Sequence, residues 1–105
     1  MIGILGEQQS DVDTLRVIIR RLSSDMSAQM KSKGYNGCGE LLRKCRTQIL
    51  TFVDLGCDRF VVCYDSDGQD PRVRCQEIAA VVPPETSPHC CIVIPVQELE
   101  AWLLV

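Results

Sequence analysis

Five carboxylates stand just beyond the ends of short apolar runs. Glu7 comes two residues after Ile2-Gly3-Ile4-Leu5. Asp65 and Asp67 follow Phe60-Val61-Val62-Cys63-Tyr64, and Glu98 and Glu100 come shortly after Cys90-Cys91-Ile92-Val93-Ile94. If those runs are strands of one parallel sheet, the acids gather on its carboxyl rim, where ligands of such sheets bind. Converging carboxylates repel, at a cost on the order of 4 kcal/mol per contact at about 4 Å and an effective dielectric near 20. Protonation, a basic neighbour or a hard cation relieves that repulsion. Oxygen donors with no His or Cys beside them favour Mg²⁺ or Mn²⁺ over zinc.

Each acid also has a plainer reading. Glu7 alone fits a solvated loop, and Asp65-Ser66-Asp67-Gly68 has the composition of a turn. Glu98 and Glu100 fit the first turn of a helix, where negative charge complements the dipole. Being two apart, they do not face the same way. The arrangement at successive strand ends is what points to a metal site.

The elements that must position these acids are legible in the apolar pattern. Ile2 to Leu5 reads as a buried strand. Ser10 caps a helix with Asp11 and Asp13 in its first turn and Leu15, Ile18, Ile19 and Leu22 at helical spacing. Ala28-Gln29-Met30-Lys31 fits a short second strand, and Gly34-Tyr35-Asn36-Gly37-Cys38-Gly39 a glycine-rich loop. From Glu40 the helical period resumes through Leu41, Leu42, Cys45, Ile49, Phe52 and Val53, and Gly56 stops it. Phe60 to Tyr64 is apolar at every residue, as a strand covered on both faces requires. Asp70-Pro71 is a cap and first helical residue, with Val73, Ile78, Val81 and Val82 as an apolar face and Pro83-Pro84 as the end. Cys90 to Ile94 reads as a fourth strand closed by Pro95, and 96–105 as a helix carrying Glu98, Glu100 and Trp102. That helix ends on Trp102-Leu103-Leu104-Val105 without a cap, which fits a chain truncated at its C-terminus or a terminus buried against a partner. Strands and helices in alternation imply right-handed crossovers: an α/β domain with a mostly parallel four-stranded sheet and helices on both faces.

Composition sets the outer bounds. The 105 residues suit a single domain spanning 1–105, and a net charge of −3 gives no global basic field for nucleic acid. A local basic patch is still available from Lys31, Lys33, Arg43, Lys44, Arg46, Arg72 and Arg74, although such residues are more often a solvated helix face. The start shows no signal-peptide pattern, and no apolar run reaches the roughly 20 residues of a membrane span. Seven cysteines, none spaced as CxxC, and one histidine, His89, suit neither a disulfide framework nor a zinc site. They suit small buried hydrophobes in a reducing compartment, so a cytoplasmic protein is expected.

Gly6-Glu7 after the first strand and Asp65-Ser66-Asp67 after a hydrophobic strand resemble the Toprim domain of topoisomerases, primases and certain nucleases. That domain pairs one glutamate with a DxD element; here the separation is 65 − 7 = 58 residues. Gly6-Glu7-Gln8-Gln9-Ser10-Asp11 is similar to the start of overcoming-lysogenization-defect type nucleases, with Gln8 where those carry glycine. Cys38-Gly39-Glu40-Leu41-Leu42 and Glu98-Leu99-Glu100-Ala101-Trp102-Leu103-Leu104 resemble segments of small Toprim-like proteins, often encoded beside bacterial defence systems. The resemblance implies a Toprim/Rossmann-like fold and Mg²⁺- or Mn²⁺-dependent phosphodiester chemistry on nucleic acid. Glu7 would be a metal ligand or general acid/base, Asp65 and Asp67 metal ligands, and Glu98 or Glu100 would complete the shell. No topoisomerase nucleophile is offered, since Tyr35 falls in the glycine loop and Tyr64 in the strand.

Three functions compete on these residues. The first is a metal-dependent nuclease or related phosphotransfer domain. The second is a non-catalytic subunit of the same fold that binds a partner, or a second copy, through its apolar C-terminal helix. The third, an α/β nucleotide binder or receiver-like acidic pocket, lacks a GxxxxGK[ST] loop and ranks last.

Overall fold

Ile2, Ile4 and Leu5 make the first segment apolar on both sides, and such a segment is stable only as an inner strand. In the computed structural model, which describes residues 1–22, 29–65 and 68–95, Ile2–Gly6 is strand β1. It lies between β2 (Met30–Gly34) and β3 (Arg59–Cys63), and β4 (Cys90–Val93) completes the order β2-β1-β3-β4. All three pairings are parallel, with Leu5 level with Lys33 on one side and Val62 on the other. Helices α1 (Gln9–Leu22), α2 (Cys38–Asp54) and α3 (Pro71–Ala79) lie between successive strands. The chain is therefore α/β with a four-stranded parallel sheet, Rossmann-like, as expected.

Strand alternation divides the core between the two faces of the sheet. Leu5, Phe60 and Val62 pack with Leu41, Cys45, Ile49 and Phe52 of α2 and Ile78 of α3. Ile4 and Cys63 pack with Val12 and Leu15 of α1 on the opposite face. Each large apolar side chain buried this way contributes about 1.5–3 kcal/mol. Gly3 is small because Phe52 fills its space: a Cβ there would lie 2.6 Å from Phe52 Cδ2.

Several boundaries differ from the sequence reading. Strand β2 occupies Met30–Gly34 rather than 28–31, alternating half-buried and exposed as an edge strand does. Its end is fixed by α1, because a Cβ on Gly34 would meet Gln9 Cα at 2.5 Å. Gly34 thus belongs to the strand, and the expected six-residue loop shrinks to Tyr35-Asn36-Gly37. Helix α2 begins at Cys38 with Gly37 as its cap at φ +108°, so Gly39 is helical. Helix α1 begins at Gln9, which places Ser10 inside the first turn and not at the cap. Helix α3 ends at Ala79, and a 3-10 turn over Pro84–His89, which the apolar pattern does not anticipate, leads into β4.

Other signals match. Asp70 caps α3 by accepting from Arg72 N at 2.9 Å, with Pro71 at the first helical position. Gly56 follows α2 at φ +99°, where only glycine is unstrained. All seven cysteines are free thiols, and Cys45, Cys57 and Cys63 are buried. Burial pushes the Cys45 and Cys90 thiols up to about 11, so they stay protonated and inert as nucleophiles. Among the described residues no helix is long and apolar enough to cross a membrane. The helix expected over 96–105 lies outside the described residues.

Candidate metal centre

The chain leaves β1 toward β2 and returns through α2 to β3 on the other side of β1. The connections after β1 and β3 therefore diverge to opposite faces and leave a crevice at the carboxyl rim, the usual ligand site of such a sheet. Glu7 opens the connection after β1, and Asp65 opens the one after β3. These two acids meet: the backbone N–H of Asp65 donates to Glu7 Oε1 at 3.0 Å.

Backbone hydrogen bonds fix the rim around them. Tyr35 N donates to Gly6 O at 3.2 Å, Gly37 N to Glu7 O at 2.9 Å, and Tyr64 N to Val93 O at 2.9 Å. The segment after β2 thus holds the backbone of Gly6 and Glu7, and the residue before Asp65 is anchored to β4. Glu7 is half-buried, and desolvation pushes its carboxyl above the ordinary value. The Asp65 amide opposes that shift, the charges of Asp65 and Asp11 add to it, and the Arg74 guanidinium opposes it. Asp11 stands in the first turn of α1, so two further acids, Asp11 and Asp65, press on Glu7 at the switch point.

Arg74 is a correction to the sequence reading, which set it among solvated basic residues. It is 6% exposed. Its guanidinium lies 4.9 Å from the centre of the Tyr64 ring, and Nη1 donates to Tyr64 Oη at 2.6 Å and to Glu77 Oε2 at 3.5 Å. Tyr64 Oη in turn donates to Glu77 Oε2 at 2.8 Å. Burial, reinforced by Glu77, raises the Tyr64 phenol well above its ordinary range, so the ring stays neutral. A buried cation therefore sits against Tyr64, the residue before Asp65, and its charge is felt at Glu7. The sequence carries a faint signal of this in Arg74 and Glu77 at a three-residue helical spacing beside Tyr64.

The other basic residues scatter. Lys31 and Lys33 project from the β2 edge, with Lys33 Nζ 5.9 Å from the Tyr35 ring centre. Lys44 pairs with Glu40 at 3.9 Å and Arg72 with Asp70 at 3.2 Å, while Arg43 and Arg46 are exposed on α2.

The structure brings together Glu7 and Asp65 of the expected ligand set and adds Asp11. Asp67, Glu98 and Glu100 lie outside the described residues. Among the described residues no three His, Cys, Asp or Glu groups are placed to hold a metal ion. The carboxylate oxygens that do converge are hard donors, the type that fits Mg²⁺ or Mn²⁺ and not zinc. No protein family matches this chain, and no curated protein or solved structure matches it either.

Proposed function

We propose that this chain is a Toprim-like, Mg²⁺-dependent domain acting on the phosphodiester bonds of nucleic acid. The observation that carries the reading is the meeting of Glu7 and Asp65 at the switch point of a parallel sheet. Two carboxylates brought from 58 residues apart into a partly desolvated crevice repel each other unless a cation or proton intervenes.

On this reading Asp65 and Asp67 anchor the cation and Glu7 is either a ligand or the group that moves a proton. Its raised pKa suits the second role, because a carboxyl that titrates nearer neutrality exchanges protons more readily with a reacting water. A bound Mg²⁺ supplies charge to polarise the phosphate and makes its water more acidic. Glu98 or Glu100 completes the oxygen shell. Arg74, held by Tyr64 and Glu77, backs the acidic loop and limits the repulsion while no cation is bound.

Calorimetric titration with Mn²⁺ and Mg²⁺, comparing the wild type with Asp67→Asn, tests the reading. Binding to the wild type that vanishes in the variant, with circular dichroism unchanged, supports it. Loss of cleavage of a labelled DNA or RNA strand in the same variant assigns the chemistry. Absence of cation binding in the wild type overturns it.

A further inference from the structure

Helix α3 carries two buried side chains, Ile78 and the cation Arg74. At a four-residue spacing they share one side of the helix, where Ile78 joins the core and Arg74 meets the Tyr64 ring. Burial works against the guanidinium charge, and Tyr64 and Glu77 more than offset it, so Arg74 is a permanent cation. A buried ion pair is a weak source of stability, because desolvation offsets most of its attraction. Its distinct property is to fix a charge in place, and here the place is the acidic rim. Arg74 Nη1 donates to the Tyr64 hydroxyl at 2.6 Å, Asp65 follows Tyr64 in the chain, and the Asp65 amide donates to Glu7 at 3.0 Å. The Arg74 charge is felt at Glu7, where it opposes the charges of Asp65 and Asp11.

We propose that Arg74 sets the divalent-cation affinity of the rim, as a resident positive charge against which an incoming Mg²⁺ or Mn²⁺ must bind. The inference rests on the metal reading of Glu7 and Asp65 given above. A second cation near the same carboxylates is repelled by the first, and the repulsion doubles for a divalent ion. Burial limits the screening of Arg74 by salt. Glu77 acts with the opposite sign: its carboxylate lies 3.5 Å from Arg74 Nη1, partly neutralises it, and so favours the incoming ion. Arg74 thus keeps the acids compatible with one another while the cation is absent, and weakens the hold on the cation once it arrives. A residue that only ordered the Asp65 loop would act otherwise. Loss of Arg74 or of the Glu77 hydrogen bonds would then loosen the ligands and weaken binding in both cases.

Calorimetric titration of the full chain with Mn²⁺ separates the two roles, with far-UV circular dichroism as the check on folding. Arg74→Met should bind Mn²⁺ at least about threefold more tightly than the wild type, and Arg74→Lys, which keeps the charge, should stay within about twofold of it. Glu77→Gln, which leaves the Arg74 charge uncompensated, should bind at least about twofold more weakly. Opposite signs at Arg74 and Glu77 are the signature of charge. Binding in the wild type with equal or weaker binding in Arg74→Met overturns the proposal and leaves the metal site standing. If Arg74→Met does not fold, the partly exposed Glu77 decides. Glu77→Asp keeps the charge and shortens the reach to Tyr64, so it should bind like the wild type while Glu77→Gln binds more weakly. Binding as weak in Glu77→Asp as in Glu77→Gln, or unchanged in Glu77→Gln, overturns the proposal as well. No Mn²⁺ binding by the wild type overturns the metal reading and this proposal with it.

Discussion

The amide of Asp65 donates to Glu7 Oε1 at 3.0 Å, joining two residues 58 positions apart. The bond requires β1 and β3 to be neighbours in register, with Gly6 level with Cys63, and it turns the Glu7 carboxyl toward Asp65. One backbone contact therefore reports both the topology and the acidic character of the site. It also separates the roles of charge and hydrogen bonding at Glu7, because the amide needs only an acceptor oxygen.

Glu7→Gln keeps that acceptor and removes the charge. Burial holds the Glu7 carboxyl above its unfolded value of 4.5, so the native state binds this proton more tightly than the unfolded chain does. Its stabilising contribution is present below the unfolded value and is lost as pH rises through the native one. The metal-free wild type should lose stability across that window relative to Glu7→Gln, as followed by urea unfolding at a series of pH values. In calorimetry the variant should bind Mn²⁺ at least about tenfold more weakly, roughly 1.4 kcal/mol. Parallel stability curves for the two proteins would refute the desolvation of Glu7.

Arg74 and Tyr64 support the same loop from behind. Breaking a fully buried ion pair costs about 3–5 kcal/mol, but Glu77 is about one-third exposed, so Arg74→Met should cost nearer 2 kcal/mol. Tyr64→Phe removes the hydroxyl that bridges Arg74 and Glu77 and should cost about 1 kcal/mol. The two losses should not add, with a coupling of at least about 0.5 kcal/mol in a double-mutant cycle. Strict additivity would show that the Arg74–Tyr64 contact contributes nothing to stability.

The apolar runs made the fold legible, because strands covered on both faces leave uninterrupted apolar stretches such as Phe60 to Tyr64. They also made Glu7 and Asp65 legible, since both stand immediately after such runs. Arg74 was not legible: its charge suggests solvent, and its burial depends on the Tyr64 ring and Glu77 coming within reach through tertiary packing. Strand β2 was misplaced, by two residues at its start and three at its end, because an edge strand reading Met30-Lys31-Ser32-Lys33-Gly34 carries little apolar signal. Its register is set by contacts with α1, including Arg16 Nη1 donating to Ser32 Oγ at 3.0 Å. The end at Gly34 follows from backbone proximity to Gln9, which no local pattern encodes.

That proximity predicts opposite outcomes at two glycines five residues apart. At Gly34 a Cβ would meet Gln9 Cα at 2.5 Å and Gln9 N at 2.6 Å, backbone atoms that cannot swing aside. Gly34→Ala should cost about 3 kcal/mol by forcing α1 away from β2. Gly39 lies in the first turn of α2, where the nearest atom to a Cβ is the flexible Arg43 Nη1 at 3.6 Å. Gly39→Ala should stabilise by about 0.5–1 kcal/mol by reducing the freedom of the unfolded chain. Urea midpoints decide both, and equal effects at the two positions would contradict the observed boundary between strand and helix.

Tyr35 carries a different kind of test. It is buried within the α2-side core, and its hydroxyl has no hydrogen-bond partner among the described residues. Burial pushes the phenol up to about 12, with the neighbouring Cys45 and Glu40 adding to the shift, so the group is neutral throughout the physiological range. A buried hydroxyl without a partner costs about 1–3 kcal/mol, and the aromatic ring supplies the packing whether or not the oxygen is present. Tyr35→Phe preserves the ring beneath Lys33 and removes only the unsatisfied atom. The variant should therefore be more stable than the wild type by about 1 kcal/mol, seen as a higher urea midpoint with an unchanged slope. Destabilisation of similar size would show that the hydroxyl finds a partner in solution, with Glu40, whose charge is felt at the phenol, the carboxylate to examine by Glu40→Gln in the same background.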